Sequence, residues 1–272
     1  MENLSKYYNV AKSSVLKSGE ILKKYFYSNF KVDYKSERNP VTTADKKSED
    51  NIKKILDSSF RDIDFLCEES CDLLKVKNNK LTWILDPLDG TVNFLHRLPV
   101  FSISLALYNG KEGLLGIVYN PISGEFFSAI KNKGAYLNNK RIAVSKINNI
   151  EHSLLVTGFP YDYKERAKRV LKNFKNFIYY AEGIRRFGSA AIDLCYVACG
   201  RFEGFWEENL KPWDMAAGVV ILKEAGGKIS DYKGTNEYLF SDTMIASNSK
   251  IHKEMLNIIG HPIKKRMSDY TD

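Results

Sequence analysis

The stretch WILDPLDGTVNF, residues 83 to 94, leaves a chain few ways to fold. An apolar run, Trp83-Ile84-Leu85, arrives at Asp86 and reads as a buried strand that stops there. Pro87 has no N–H with which to continue a ladder, and it turns the chain. That turn lets the Leu88 carbonyl face the same space as Asp86 and Asp89. Gly90 permits a tight backbone, and Thr91 opens TVNFL, a helical turn whose first N–H groups point back at the acids. Carboxylates crowded there repel each other and any bound anion unless cations lie between them. Oxygen ligands packed in this way suit hard divalent metals such as Mg2+, and a helix start suits phosphate.

The rest of the chain is patterned in both periods. Leu4, Tyr7, Tyr8, Ala11, Val15, Leu22, Tyr25 and Phe26 predict a long amphipathic helix over residues 4–27. SERNP reads as a polar turn, and Thr42-Thr43 as caps of a helix reaching residue 56. Strands are predicted over residues 63–67, 81–85, 101–108, 114–119 and 125–130, with turns at Asn109-Gly110, Asn120-Pro121 and Asn138-Asn139. In the second half, SLLVTGFP is a strand running into a loop, residues 163–174 a helix, and FIYYAEG (177–183) a strand. Residues 189–199 form a helix, 202–206 a strand, and 212–225 a helix ended by Gly226-Gly227. MIASN is a strand before a last helix over 250–259. The expectation is mixed α and β in layers, with residues 1–145 and 146–272 as two halves sharing one cleft.

Composition narrows the function. The 272 residues carry 41 Lys+Arg against 33 Asp+Glu, a net charge of +8 that favours anions. The basic residues are scattered in pairs, as on a solvated surface, with no run of the kind a nucleic-acid tail shows. No apolar run approaches a membrane span, and the N-terminus lacks an apolar signal-peptide core, so a cytoplasmic protein is expected. Cys67 and Cys71, like Cys195 and Cys199, stand four positions apart. A zinc site usually takes tighter knuckles in loops, and AIDLCYVACGRF reads as a buried helix face, so free cysteines are expected.

Two further acidic positions join the first pair as candidates. FLCEES ends a strand with Glu68-Glu69, and KPWDMAAG places Asp214 at a helix start. Each also reads plainly, Asp214 as an acid complementing the helix dipole and Glu68-Glu69 as a solvated loop.

Taken together, CEES, DPLDGTVNF and WDMAAG, in this order and separation, resemble the signature segments of the inositol monophosphatase family of Mg2+-dependent, lithium-sensitive phosphatases. The middle segment matches the family's D-P-[LI]-D-G-T-x-N-F pattern throughout. The likeness extends over TTADKKSE, TGFPYD, RRFGSAAIDLCYVACGRFEGFWE and AGG. It implies an α+β fold, the layered αβαβα sandwich of the sugar-phosphatase type, with a metal-lined cleft between the halves. It also implies that Glu68, Asp86 and the Leu88 carbonyl hold a first Mg2+, that Asp86, Asp89 and Asp214 hold a second, and that Glu68 holds a weaker third. Thr91 with Asp45 resembles the pair that polarises the attacking water; by itself Asp45 is only a helix-start acid. By the same resemblance Gly188, Ser189 and Ala190 line the polyol side, Glu207 hydrogen-bonds substrate hydroxyls, and Asp89, Gly90, Thr91 and Asp214 face the bound ester. From the residues alone, GSAA is equally a close-packed helix start and Glu207-Glu208 a loop pair.

The chemistry implied is hydrolysis of a phosphomonoester by direct in-line attack of a metal-activated water, without a covalent intermediate. Haloacid-dehalogenase-type phosphatases carry D-x-D-G-T with a phosphorylated first Asp; here the second acid comes one position later, which argues against that mechanism. The family includes inositol-1-phosphatases, fructose-1,6-bisphosphatases, histidinol-phosphatases and enzymes acting on 3′-phosphoadenosine 5′-phosphate or NADP. The GFWEENLKPWD spacing is most similar to the inositol-phosphatase branch. A homodimer is expected from the family, as is a small-molecule phosphate ester as partner. Arg185-Arg186 stand ready to meet an anion or a subunit interface, and His96 and Arg97 read as an exposed turn beside the metal motif. A regulatory protein binding RNA or protein remains the alternative from another class.

Overall fold

The computed structural model describes residues 4–28, 32–36, 39–70, 80–160 and 163–260. The amphipathic N-terminal segment forms α1, Leu4–Phe26, which buries Ala11, Val15, Leu22 and Phe26. Where SERNP predicted only a turn, a short antiparallel hairpin forms from β1 (Val32–Ser36) and β2 (Asn39–Thr42). Thr42 then caps α2, Thr43–Ser59, accepting from the Ala44 N–H at 3.1 Å. Asp45 accepts from the Thr42 N–H at 2.8 Å, which closes a capping box. The two helices pack together and cover one face of a seven-stranded sheet.

That sheet contains β3 (Asp64–Cys67), β4 (Leu81–Asp89), β5 (Ser102–Asn109), β6 (Glu112–Asn120), β7 (Glu125–Ile130), β8 (Ala135–Leu137) and β9 (Lys140–Ile142), in that spatial order. β3 and β4 are parallel and the remaining pairs antiparallel. The short helix α3, Thr91–Leu95, lies between β4 and β5 in the chain. The Asn138-Asn139 turn has φ of 48° and 66°, as a two-residue hairpin requires.

One expectation is corrected at the most informative place. β4 does not stop at Asp86: Asp86 pairs with Ser104 and Asp89 with Ser102. Pro87 and Leu88 therefore lie opposite the single residue Ile103, in a β-bulge. A bulge leaves one residue out of the ladder, which is where a proline without a donor fits.

The second sheet holds β10 (Leu154–Thr157), β11 (Gly183–Arg185), β12 (Gly204–Glu208), β13 (Lys228–Ser230) and β14 (Thr243–Ser247), ordered β11-β10-β12-β14-β13. α4 (Tyr163–Ile178) and α7 (His252–Gly260) cover its outer side, while α5 (Ala190–Ala198) and α6 (Pro212–Glu224) fill the space between the sheets. α6 explains its own position. Every residue from Met215 to Leu222 is buried, so it has no polar face and must be covered on both sides. Its backbone runs close to β6, where a Cβ on Gly116 would lie 2.5 Å from the Ala217 carbonyl. The layers are thus αβαβα, the α+β sandwich expected.

FIYYAEG is not a strand. α4 continues to Ile178 because Phe174 and Phe177 fall on one helical face, and the buried Phe177 ring lies 4.1 Å from Trp206. Helical burial wins there over the β preference of Ile178, Tyr179 and Tyr180. The strand begins later, at Gly183. Cys67, Cys195 and Cys199 are free, and Cys71 lies outside the described residues. Among the described residues no helix is long and apolar enough to cross a membrane.

Candidate active site

The acids meet because several ends of elements meet. The Glu68 N–H donates to the Leu85 carbonyl at 3.2 Å, which carries the β3–β4 pairing one residue further and sets Glu68 beside Asp86. In the bulge the Leu88 N–H donates to Asp86 at 2.9 Å. Asp214, in the first turn of α6, accepts from the Lys211 N–H at 2.7 Å. Glu68, Asp86, Asp89 and Asp214 line one cavity, together with Leu88, Gly90, Thr91, Gly188, Ser189, Ala190 and Glu207.

Asp89 joins the halves. Its carboxylate accepts from the Ser189 hydroxyl at 2.5 Å and the Ala191 N–H at 2.9 Å, at the N-terminal end of α5 where donors and dipole both favour negative charge. Gly90, with φ of 91°, brings the backbone so close to the other half that a Cβ would lie 3.2 Å from the Gly188 carbonyl and 3.1 Å from that of Val100. Asn93 completes the junction, its amide donating to the carbonyls of Val100 and Phe187, each at 2.7 Å.

Crowding shows in the acidities. Burial holds the Asp86 carboxyl well above the ordinary range, and the charges of Glu68, Asp89 and Asp214 push it further. Asp214 is raised in the same way, by burial first and Glu68 next. Asp89 is pushed up to about 6 by burial, against the opposing bonds from Ser189 and Ala191. Burial also raises Asp45 to about 7. The Thr91 hydroxyl lies 3.3 Å from Asp45 and 3.0 Å from the Leu88 carbonyl, with one proton for two acceptors.

Among the described residues no three His, Cys, Asp or Glu side chains are already drawn together tightly enough to hold an ion. The donor chemistry nevertheless fits one. Four carboxylates from three segments share a cavity, their charges push Asp86 and Asp214 up, and together they offer only oxygen, the set that hard divalent cations take.

On the far wall, Glu207 at the end of β12 is pushed up to about 8 by burial, which the nearby Arg186 charge offsets in part. Arg186 lines the cavity, whereas Arg185 is absent from its lining and donates to the Ile184 carbonyl. Arg97 is also apart from the site: it donates to the carbonyls of Tyr25, Phe26 and Ser28 and so closes the end of α1. His96 stands in the same turn, away from the cavity lining. Asn93, Gly158 and Phe159 belong to the site or its frame and went unselected as site residues, although TVNF and TGFP both lay within the segments of resemblance.

A five-layer αβαβα sandwich with an acid-lined cleft is the arrangement expected of the sugar-phosphatase type of fold. The chain belongs to the inositol monophosphatase family, whose model matches residues 3–262. It is 45% identical over 218 residues to an inositol-1-monophosphatase of Synechocystis sp., covering 79% of this chain and 75% of that one. It is 38% identical to the Nus factor SuhB of Pasteurella multocida (92% and 94% covered) and to a fructose-1,6-bisphosphatase/inositol-1-monophosphatase of Aquifex aeolicus (95% and 97%). The crystal structure of the extragenic suppressor protein suhB of Bartonella henselae superposes with a TM-score of 0.90 at 36% identity, over 95% of this chain and all of that one.

Proposed function

We propose that this chain hydrolyses phosphate monoesters of polyols, inositol-1-phosphate first among them. One observation carries the proposal: three segments deliver Glu68, Asp86 with Asp89, and Asp214 to a single cavity, with the Thr91 hydroxyl in its wall backed by Asp45. Glu68, Asp86, Asp89, Asp214 and the Leu88 carbonyl would hold Mg2+, two to three ions per site, which supplies Lewis-acid activation and countercharge when bound. The ester's phosphate rests against Gly90 and Thr91, and its alcohol lies over Gly188, Ser189 and Ala190 toward Glu207. Thr91 orients the attacking water and accepts its proton while passing its own to Asp45. An acid raised to about 7 is well matched to that exchange near neutrality. The new oxygen–phosphorus bond forms in line with the breaking bond to the alcohol, and Ser189, bonded to Asp89, keeps that side of the cleft in register. Homodimerisation, lithium inhibition and a cytoplasmic location belong to the same proposal.

The test is phosphate release from inositol-1-phosphate with Mg2+, with chelator, and in Asp89→Asn protein. Release only in the first condition is expected; equal release in all three refutes the proposal and leaves a binding role. Fructose-1,6-bisphosphate, histidinol phosphate and NADP complete the substrate panel.

A specific observation favours a second reading, a sugar bisphosphate. Arg186 lines the cavity and makes no hydrogen bond or ion pair with any described residue, so its guanidinium is available to a second phosphate. Arg186→Ala is then expected to lower kcat/KM for fructose-1,6-bisphosphate by roughly tenfold or more while sparing inositol-1-phosphate. Equal effects on both refute it.

A further inference from the structure

The end of β10 and the end of β12 lie side by side, with Thr157 opposite Trp206 and the Thr157 hydroxyl donating to the Trp206 carbonyl at 2.6 Å. The next residue on each chain is Gly158 and Glu207, and both line the cavity. Their fit is unusually close. A Cβ placed on Gly158 would lie 2.2 Å from each carboxyl oxygen of Glu207 and 2.3 Å from its Cδ, and these are the three atoms it would meet first. The space of the missing side chain is filled by one carboxyl group and by nothing nearer.

Two further facts make this a seat. The Glu207 carboxyl makes no hydrogen bond with any described residue, so packing against Gly158 is what places it. Its oxygens therefore stay open to donors on a ligand. Gly158 itself is not among the residues with positive φ, so its backbone is one that alanine adopts without strain.

We propose that Gly158 determines specificity at this site: by lacking a side chain it seats Glu207 where its carboxyl meets the hydroxyl donors of a polyhydroxylated alcohol. The proposal rests on the phosphatase assignment and deepens it. Gly158 is a positioning residue that acts through Glu207. A methyl at 158 must push the carboxyl away by roughly 1 Å to restore an ordinary carbon–oxygen contact. The end of a flexible side chain gives way easily, so the protein folds and the loss appears in ligand recognition.

The experiment compares wild type, Gly158→Ala, Glu207→Ala and the double variant on inositol-1-phosphate and on 4-nitrophenyl phosphate, an ester without alcohol hydroxyls. Gly158→Ala is expected to lower kcat/KM for inositol-1-phosphate by roughly tenfold, chiefly through KM, as for loss of a hydrogen bond. Hydrolysis of 4-nitrophenyl phosphate should change less than about twofold, and the substitution should add nothing in the Glu207→Ala background. Equal losses on both esters, additive losses in the double variant, or unaltered kinetics overturn the proposal. If wild type hydrolyses neither ester, the phosphatase assignment fails instead. A crystal structure of Gly158→Ala then still decides the seat: a displaced Glu207 carboxyl supports it, and an unmoved one overturns it.

Discussion

Asp89→Asn should make the metal-free protein more stable while abolishing its activity. The Asp89 carboxyl is 8% exposed and stands beside Glu68 and Asp86. Burial raises it from an ordinary 3.8 to about 6, so the fold favours the protonated form. The stability this group contributes is present at low pH and is lost as pH rises from 3.8 through 6. Above that window, keeping the charge costs at most about 3 kcal/mol, at 1.36 kcal/mol per tenfold. An asparagine keeps an oxygen that accepts from Ser189 and Ala191 and removes the charge. Urea unfolding in EDTA at pH 8 should therefore show Asp89→Asn to be more stable, by up to about 3 kcal/mol, with the gap shrinking to roughly half at pH 5. Added Mg2+ should stabilise wild type more than the variant, which keeps Glu68, Asp86 and the Leu88 carbonyl for one ion but loses a ligand of the other, since only ligand binding to the native state contributes. The reasoning is refuted if the variant is the less stable protein in EDTA at pH 8, or if Mg2+ stabilises both equally.

Two other outcomes follow from groups outside the acid cluster. His252 is buried with its ring nitrogens each 2.9 Å from a serine hydroxyl, Ser247 and Ser230. Ser230 donates to the Asp231 carbonyl, so the ring is neutral with its proton on Nε2. Burial holds its pKa at about 4 against an ordinary 6.5, so the unfolded chain binds the extra proton between those values. Stability from this site is complete above pH 6.5 and falls by up to about 3 kcal/mol as pH drops to 4. Denaturant midpoints against pH should lose this part of their acid limb in His252→Gln. Asn93→Ala leaves the Val100 and Phe187 carbonyls without their donor, and a loss of about 2–4 kcal/mol in urea unfolding is expected.

What was legible in the sequence was what neighbours along the chain determine. Thr42 and Asp45 cap each other three positions apart, Asp214 sits in the first turn of a helix that begins with a proline, and Asn138-Asn139 adopts the turn its residue types favour. The misreadings arose where a distant partner decides. FIYYAEG has the aromatic and β-branched residues of a strand, and Trp206, far along the chain, draws Phe177 onto a helical face instead. Arg97 reads in the sequence as part of an exposed turn, and only the distant end of α1 gives it the three carbonyls to which it donates. Gly158 could not be matched with Glu207 from spacing, because 49 residues separate them and only the parallel pairing of β10 with β12 sets them side by side.

The bulge at Pro87 ties these levels together. A regular strand would alternate its side chains, and Asp86 and Asp89, an odd number of positions apart, would face opposite sides of the sheet. Inserting one residue shifts that parity, so both acids reach one cavity while the strand keeps pairing with β5. Proline is the residue that tolerates the unpaired position, and Gly90 then turns the chain against Gly188 so that Asp89 can cap a helix of the other half. The order Asp-Pro-Leu-Asp-Gly is thus the local condition for the acids to converge. It brings mutually repelling carboxylates together at a cost the fold bears for the sake of a cation, and this is why removing one of those charges should stabilise the protein and silence it.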